Sequence, residues 1–144
     1  LIKLKKNRNS TNGIIVGVSA IQGAGKTTQG EVMEILLSNL GFSVISLSID
    51  DHYITHEELN KLRESDPRYL SRGLTHDISL AVENLTDLKK MKDGQEVKIP
   101  VYDKGAYDGD GDRSSWKLVT KKCDFIFYDG WMLGARRLLN ESIF

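Results

Sequence analysis

The sequence predicts an α/β domain in which a parallel sheet is flanked by helices. Three apolar runs rich in β-branched and aromatic residues, at 13–19, 42–49 and 124–128, are typical of buried strands. Between them, apolar residues recur at helical spacing over 32–40 and 78–91. Strands that alternate with helices favour a parallel sheet. The 144 residues are enough for one domain with a single core.

A glycine-rich loop joins the first strand to the first helix. Residues 20–28 fit the pattern G-x-x-x-x-G-K-[ST], with Ala20 in place of the first glycine. Gly25 lets backbone N–H groups curl around phosphate oxygens, Lys26 can reach the β- and γ-phosphates, and the Thr27 hydroxyl can ligate Mg²⁺. The order strand, loop, helix is the one that the motif requires. It predicts a P-loop NTPase fold.

Local signals place the elements that follow. The second strand ends at Asp50, and the capping box that starts at Thr55 predicts a short helix. Asp77 is expected to cap a longer helix that ends at Gly94.

The second half of the chain is more polar until the last strand. Residues 96–102 alternate like a strand, and Pro100 favours an edge position. Residues 103–115 are polar and glycine-rich, which predicts a loop. The last strand, 124–128, ends at Asp129.

Acidic residues follow two of the predicted strands. In open α/β sheets, ligands gather at the carboxyl ends of the strands. Phosphoryl transfer needs a phosphate cradle, Mg²⁺ with a carboxylate, and a residue that deprotonates the acceptor. Asp50 is suited to the role of base and Asp129 to that of the carboxylate beside Mg²⁺. A solvated turn or a helix cap is the alternative reading of Asp50 and Asp51.

Five segments together resemble the D-glycerate 3-kinase family of plants and fungi, within the wider group of phosphoribulokinase, uridine kinase and pantothenate kinase. The resemblance covers about residues 14 to 134, nearly the whole chain, and the Tyr-Asp-Lys and Gly-Trp-Met-Leu-Gly runs are its most discriminating parts. The segments are 19–28, 48–53, 72–77, 101–104 with 111–113, and 129–134. The resemblance implies a kinase that uses ATP and Mg²⁺ and phosphorylates a hydroxyl of a small molecule, D-glycerate foremost.

The resemblance also implies site residues. Those on the ATP side are Gln22, Gly23, Ala24, Gly25, Lys26, Thr27 and Thr28. The implied catalytic residues are Asp50 and Lys26. The implied metal ligands are Thr27 and Asp129, and the family usually has Glu at the position of Asp129. Those on the acceptor side are Asp51, Tyr53, Arg72, Tyr102 and Lys104. An arginine there suits a carboxylate substrate, because a guanidinium can bind it bidentately.

The amino-acid composition limits the classes of binding partner to be expected. Lys plus Arg and Asp plus Glu number 20 each, so no net charge favours nucleic acid or an anionic membrane. No apolar run is long enough to span a membrane. Cys123, alone in the chain, excludes an internal disulfide framework and is expected to be a buried thiol in a reducing compartment. A cytoplasmic protein that acts on a small molecule is the expectation.

The two ends of the chain carry expectations of their own. Residues 1–12 are expected to be a basic flexible tail, and 13–144 a P-loop kinase domain. The chain starts at Leu1 rather than Met and stops at Phe144 soon after a helical stretch begins, which favours a domain truncated at its C-terminus. Arg136 and Arg137 are expected on an exposed helix.

One acidic stretch matches the pattern of a calcium-binding loop only in part. Asp108, Asp110 and Asp112 start like a calcium loop, but Arg113 stands where glycine is required. A solvated acidic loop is the better interpretation.

The histidines and tryptophans have structural interpretations. His52, His56 and His76 lack the spacing of a zinc site, which favours structural or supporting roles. Trp116 and Trp131 are expected in the core or in a pocket wall.

Two alternatives to a glycerate kinase stay open. One is a kinase for a nucleoside, pantothenate or a sugar phosphate. The other is a nucleotide-binding module or fragment without catalytic activity.

Overall fold

The computed structural model describes residues 1–7, 11–69 and 71–134, and it contains a three-stranded parallel sheet and a two-stranded antiparallel ribbon. The strands are β1 (Ile14–Ser19), β2 (Val44–Ser48), β3 (Val97–Asp103), β4 (Asp112–Val119) and β5 (Phe125–Gly130). The helices are α1 (Ile2–Asn7), α2 (Lys26–Asn39), α3 (His56–Ser65) and α4 (Ile78–Lys90), with 3₁₀ turns at Ile49–His52 and Tyr107–Gly109. The predicted parallel sheet flanked by helices is confirmed.

β5 is the middle strand of the parallel sheet, whose order is β1-β5-β2. All six of its residues are buried, as expected for a strand covered on both faces. Its register pairs Ser19 of β1 with Gly130 and Ser48 of β2 with Asp129. The three strands therefore finish together, and their carboxyl ends form one edge.

The sheet has a hydrophobic cluster on each face. Successive side chains of a strand point to opposite faces, so Phe125 and Phe127 pack with Leu37 of α2, whereas Ile126 packs with Leu88 of α4. The second cluster also takes in residues of the ribbon, among them Val97, Ile99 and Val119. The ribbon is thus anchored to the same core as the sheet.

Local signals place the helix ends closely. The Thr55 hydroxyl accepts from the Glu58 amide at 3.3 Å and the Glu58 carboxylate accepts from the Thr55 amide at 2.8 Å, which is the predicted capping box of α3. Asp77 caps α4 by accepting from the Leu80 amide at 3.0 Å. α4 ends at Lys90 rather than at Gly94, which lies in the following turn with a φ of 82°.

The expected loop over 103–115 is wrong for its last four residues. Residues from Asp112 onward form β4, which pairs antiparallel with β3. β4 could not be recognised from the sequence because its side chains are mostly polar or exposed. A ribbon of two strands leaves much of its surface to solvent, so such a strand shows little apolar alternation. Trp116 on β4 is 51% exposed, so its expected place in the core or pocket wall is also wrong.

A short helix lies at the N-terminal end of the chain. Residues 1–12, expected to be a flexible tail, contain α1, and the Lys5 ammonium lies 3.1 Å from the Asp124 carboxylate. Arg136 and Arg137 lie outside the described residues. None of the helices in the described ranges is long and apolar enough to cross a membrane.

Gly13 is packed too closely to accept a side chain. A Cβ placed there would lie 2.9 Å from the Cys123 carbonyl oxygen and 3.0 Å from Ile126 Cδ1. We expect Gly13→Ala to lower the free energy of unfolding by about 1–3 kcal/mol, because backbone and core must shift. Urea denaturation measures the loss. Gly17→Ala in β1 is the control, since a Cβ there has nothing within 4 Å; equal effects of the two variants would contradict the packing argument.

Cys123 is 2% exposed within the core, and burial raises the pKa of its thiol to about 11. The reactive thiolate is therefore scarce at pH 8. We expect the native protein to react with a thiol reagent at pH 8 about a hundredfold more slowly than the urea-unfolded protein at the same pH. The reaction is followed by absorbance, and rapid labelling in buffer would show that the thiol is accessible.

Candidate active site

A cleft of about 770 Å³ opens at the edge formed by the carboxyl ends of the parallel strands. It is lined by Gln22, Gly23, Gly25, Lys26, Thr27, Thr28, Ser48, Asp50, Asp51, Tyr102, Lys104 and Asp129. Among the predicted site residues, Ala24, Tyr53 and Arg72 lie outside this lining, and Ser48 is a lining residue that the sequence analysis missed. The phosphate loop and the acids after β2 and β5 therefore share one cleft.

The phosphate loop has the backbone that its glycines allow. Gly23 has a φ of 75° and Gly25 a φ of 77°, in the left-handed region that favours glycine. Gly25 is the N-cap of α2, so the unpaired amides at the start of that helix point toward the loop. The Lys26 ammonium donates to the Ile21 carbonyl at 2.9 Å across the loop. Amides, a helix N-terminus and an ammonium together suit a polyphosphate.

Asp129 is the acidic group at the end of β5. It is 6% exposed, and burial raises the pKa of its carboxyl, while Ser48 and Lys26 act in the opposite direction. The Ser48 hydroxyl donates to Asp129 Oδ1 at 3.3 Å. Thr27 and Asp129 offer oxygen ligands, which fit Mg²⁺. No cluster of three His, Cys, Asp or Glu side chains suited to a metal forms in the described part of the chain, and Mg²⁺ commonly completes its shell with phosphates and water.

Asp50 lies in the 3₁₀ turn that follows β2. The Lys104 ammonium contacts Asp50 Oδ2 at 2.6 Å, and His76 Nε2 lies 4.0 Å from Oδ1, beyond hydrogen-bonding distance. His76 and Lys104 hold the pKa of the Asp50 carboxyl well below its usual range, against the opposing effect of burial. Asp50 is therefore an ionised carboxylate with an ammonium on one of its oxygens.

Asp51 fixes the turn that carries Asp50. Its Oδ2 accepts from the Ser48 amide at 3.3 Å, completing a capping box, and its Oδ1 accepts from the Tyr102 amide at 3.4 Å. One carboxylate thus ties the end of β2 to β3 of the ribbon. Although it lines the cleft, both of its oxygens contact the backbone.

His52 supports the same turn from the core, where it is fully buried. Asn84 donates to the Lys98 carbonyl at 3.2 Å, which leaves its oxygen facing His52 Nε2 at 3.3 Å. Nδ1 faces the Ser48 carbonyl oxygen at 3.3 Å and the Tyr128 hydroxyl at 3.4 Å. Burial lowers the pKa of His52, which agrees with a neutral ring.

Tyr53 and Arg72 support the cleft from outside its lining. The Tyr53 ring stacks on His76 with centroids 4.1 Å apart, and the two residues form an isolated β-bridge. Arg72 donates to the Asp110 carbonyl at 3.0 Å, and its guanidinium lies 5.9 Å from the centre of the Tyr102 ring. Arg72 thus holds the loop of the β3–β4 ribbon.

The acids that resembled a calcium loop bind α3 instead. Asp110 forms a bidentate ion pair with Arg63 at 2.6 and 2.7 Å. Asp112 accepts from the His56 amide at 2.9 Å. These contacts attach the ribbon loop to α3.

Two of the missed residues differ in whether the sequence held a signal for them. Ser48 could have been found, because Ser48 and Asp51 have the spacing of a capping box. His76 had no local signal, since it reaches Asp50 only through the bridge to Tyr53.

Comparison with known proteins relates the chain to kinases. The chain is 36% identical over 142 residues to D-glycerate 3-kinase of the Arabidopsis thaliana chloroplast, covering 92% of this chain and 31% of that protein. A solved structure of D-glycerate 3-kinase from Cryptococcus neoformans matches with a TM-score of 0.80 at 29% identity, covering 97% of this chain and 51% of that one. The chain is a homologue of D-glycerate 3-kinases.

A uridine kinase of Staphylococcus aureus is also related, with 32% identity over 130 residues, which is 90% of this chain and 58% of that protein. No protein-family model matches the chain. The resemblance drawn from the sequence is confirmed, and so is the P-loop kinase fold. The chain spans roughly a third to just over half of the length of these relatives.

Asp51 allows a test of how the turn is held. An amide at this position has one acceptor oxygen, so its NH₂ group would face a backbone N–H of Ser48 or Tyr102. We expect Asp51→Asn to lower the free energy of unfolding by about 1–3 kcal/mol, measured by urea denaturation. Asp108→Asn makes the same chemical change at an exposed residue of the ribbon loop. If both variants unfold at the same urea concentration, Asp51 does not hold the turn.

Proposed function

We propose that the protein is an ATP-dependent kinase that transfers the γ-phosphoryl group to a hydroxyl of a small hydroxy acid, D-glycerate foremost. The observation that carries the proposal is the convergence of the phosphate loop, Asp50, Asp129 and Lys104 on one cleft. A carboxylate base and a cation for an acid substrate lie side by side there, opposite a phosphate cradle. The relation to D-glycerate 3-kinases supports the same acceptor.

On the nucleotide side, backbone and side chains of the loop hold the phosphates. Gly23, Gly25, Lys26, Thr27 and Thr28 line the cradle, and Lys26 contributes the positive charge that the β- and γ-phosphates need. Thr27 and Asp129 would hold Mg²⁺, which neutralises charge on the phosphates when it is bound.

On the acceptor side, Asp50 accepts the proton of the acceptor hydroxyl. The hydroxyl oxygen then forms its bond to the γ-phosphorus while the bond to the bridging oxygen of ADP breaks. Lys104 pairs with the carboxylate of the substrate, and Tyr102 and Arg72 keep the ribbon loop in place.

A nucleoside kinase is the second candidate, and the relation to a uridine kinase favours it. The ammonium of Lys104 beside the base favours an acid over an uncharged nucleoside, because a cation gains most from a charged partner. A nucleotide-binding module without transfer activity would have no need of a carboxylate at Asp50.

A panel of acceptors tests the proposal. The purified protein is given ATP and Mg²⁺ with D-glycerate, uridine or pantothenate, and acceptor-dependent ADP release is measured by a coupled assay. We expect D-glycerate to give the highest kcat/KM. A preference for uridine would favour the nucleoside kinase, and ATP binding without acceptor-dependent ADP release would favour the module.

Asp50 is expected to be essential as the base. Asp50→Asn should lower kcat by about a hundredfold or more while ATP affinity is retained, because the amide cannot take the proton. Steady-state kinetics and nucleotide titration measure the two quantities. Asp108→Asn is the matched control at an exposed position. Phosphoryl transfer that persists in Asp50→Asn would exclude Asp50 as the base.

A further inference from the structure

The two oxygens of Asp50 face opposite environments. Oδ1 faces inward toward His76, whose side chain is 7% exposed and whose Nε2 has no hydrogen-bond partner among the described residues. Oδ2 faces Lys104, whose side chain is 56% exposed. Hence Lys104 covers the oxygen on the open side of the cleft.

This arrangement conflicts with the task of a base. An ammonium at 2.6 Å stabilises the charged form of Asp50 and occupies the oxygen that a substrate hydroxyl would approach. The other titratable neighbours are Asp51, Asp129 and the phenols of Tyr53 and Tyr128. Asp129 carries a like charge, whereas the Tyr53 phenol, whose pKa is raised by burial and then by Asp50, is a neutral group beside the carboxylate. The cation that suppresses the basicity of Asp50 from the open side is Lys104.

We propose that the carboxylate of the acceptor takes Lys104 away from Asp50, and that this exchange frees Oδ2 to accept the hydroxyl proton. The inference rests on the proposed function, and it adds that the acid group of the substrate switches on the base. Binding of the acid and activation of Asp50 are then one event.

The structure allows Lys104 to move while Asp50 stays in place. Lys104 follows the end of β3 and precedes Gly105, and its long side chain is largely in solvent. Asp50 is held by its amide, which donates to the Ser48 hydroxyl at 3.3 Å. His76 is fixed by the stack with Tyr53. Loss of the Lys104 contact therefore frees Oδ2 while the backbone of Asp50 and the neighbouring His76 ring stay in place.

The chemical step balances within the proposed reaction. The acceptor O–H bond breaks and its proton goes to Asp50 Oδ2, while the oxygen bonds to the γ-phosphorus and ADP leaves with the electron pair of the broken P–O bond. Lys104 and Asp50 Oδ2 start in contact, so an acceptor with its hydroxyl and carboxylate close together can reach both groups. An uncharged acceptor of the same size, such as glycerol, cannot displace Lys104.

Titration of Asp50 tests the exchange without turnover. Carbon NMR of aspartate-labelled protein follows the Asp50 carboxyl, assigned with Asp50→Asn, with and without saturating D-glycerate. In the unaltered protein we expect D-glycerate to raise the pKa of Asp50 toward its ordinary value. In the Lys104→Ala variant, the pKa of Asp50 should be higher than in the unaltered protein before D-glycerate is added. It should change little when D-glycerate is added.

The control for this titration is Lys98→Ala, which removes an exposed lysine of β3, the strand that precedes Lys104, and should leave the titration of Asp50 as in the unaltered protein. If D-glycerate leaves the pKa of Asp50 unchanged in the unaltered protein, the proposal is overturned. A shift of equal size in Lys104→Ala would overturn it as well, because the effect would not pass through Lys104.

Kinetics with glycerol separates the exchange from simple substrate binding. If Lys104 only binds the acid, Lys104→Ala lowers kcat/KM for D-glycerate and leaves glycerol unaffected. If Lys104 also covers the base, kcat/KM for glycerol rises in Lys104→Ala, and the ratio of D-glycerate to glycerol falls by about tenfold or more. A glycerol activity that stays constant or falls would overturn the proposal.

The two proposals fail in different ways. A protein that phosphorylates no acid, yet shows the Lys104-dependent change in the pKa of Asp50, would overturn the proposed function and support the exchange. A protein that phosphorylates D-glycerate with no such change would support the function and overturn the exchange.

Discussion

The pairing of β5 with strands on both of its sides is the constraint on which the site depends. Because β5 is buried along its whole length and in register with β1 and β2, the strand ends at Ser19, Ser48 and Gly130 lie at one edge. The phosphate loop leaves that edge after β1, the 3₁₀ turn with Asp50 leaves it after β2, and Asp129 lies on β5 itself. The cleft is therefore a product of strand register, and its acids are brought together by backbone hydrogen bonds.

Around that edge, most polar side chains have structural partners before any ligand binds. Asp51 holds two backbone amides, His52 lies within a buried set of polar groups, and Arg72 is bound to carbonyls of the ribbon loop. Such contacts lower the cost of burying polar groups and fix their rotamers. The residues that line the cleft therefore fall into two classes. Some shape the cleft through these contacts, and others, such as Lys26 and Lys104, have long side chains that can change conformation.

The sequence predicted best the features that depend on neighbours in the chain. The phosphate loop and the caps at Thr55 and Asp77 are set by residues within one turn of each other, so pattern and structure agree. The position of β5 between β1 and β2, and the pairing of β4 with β3, depend on contacts between distant segments. β4 in particular has too few buried residues to give an apolar alternation, and Trp116 is exposed on it. The approach of His76 to Asp50 arises from tertiary structure in the same way.

The attachment of the ribbon loop to α3 means that the two sides of the site are supplied by different elements, which share one core. The cradle for phosphate belongs to the parallel sheet and α2, whereas Lys104 and Tyr102 belong to a ribbon that Arg63 and His56 hold through Asp110 and Asp112. On the proposed function, substitutions in the ribbon are expected to alter the choice of acceptor while the phosphate cradle keeps its own helix and loop.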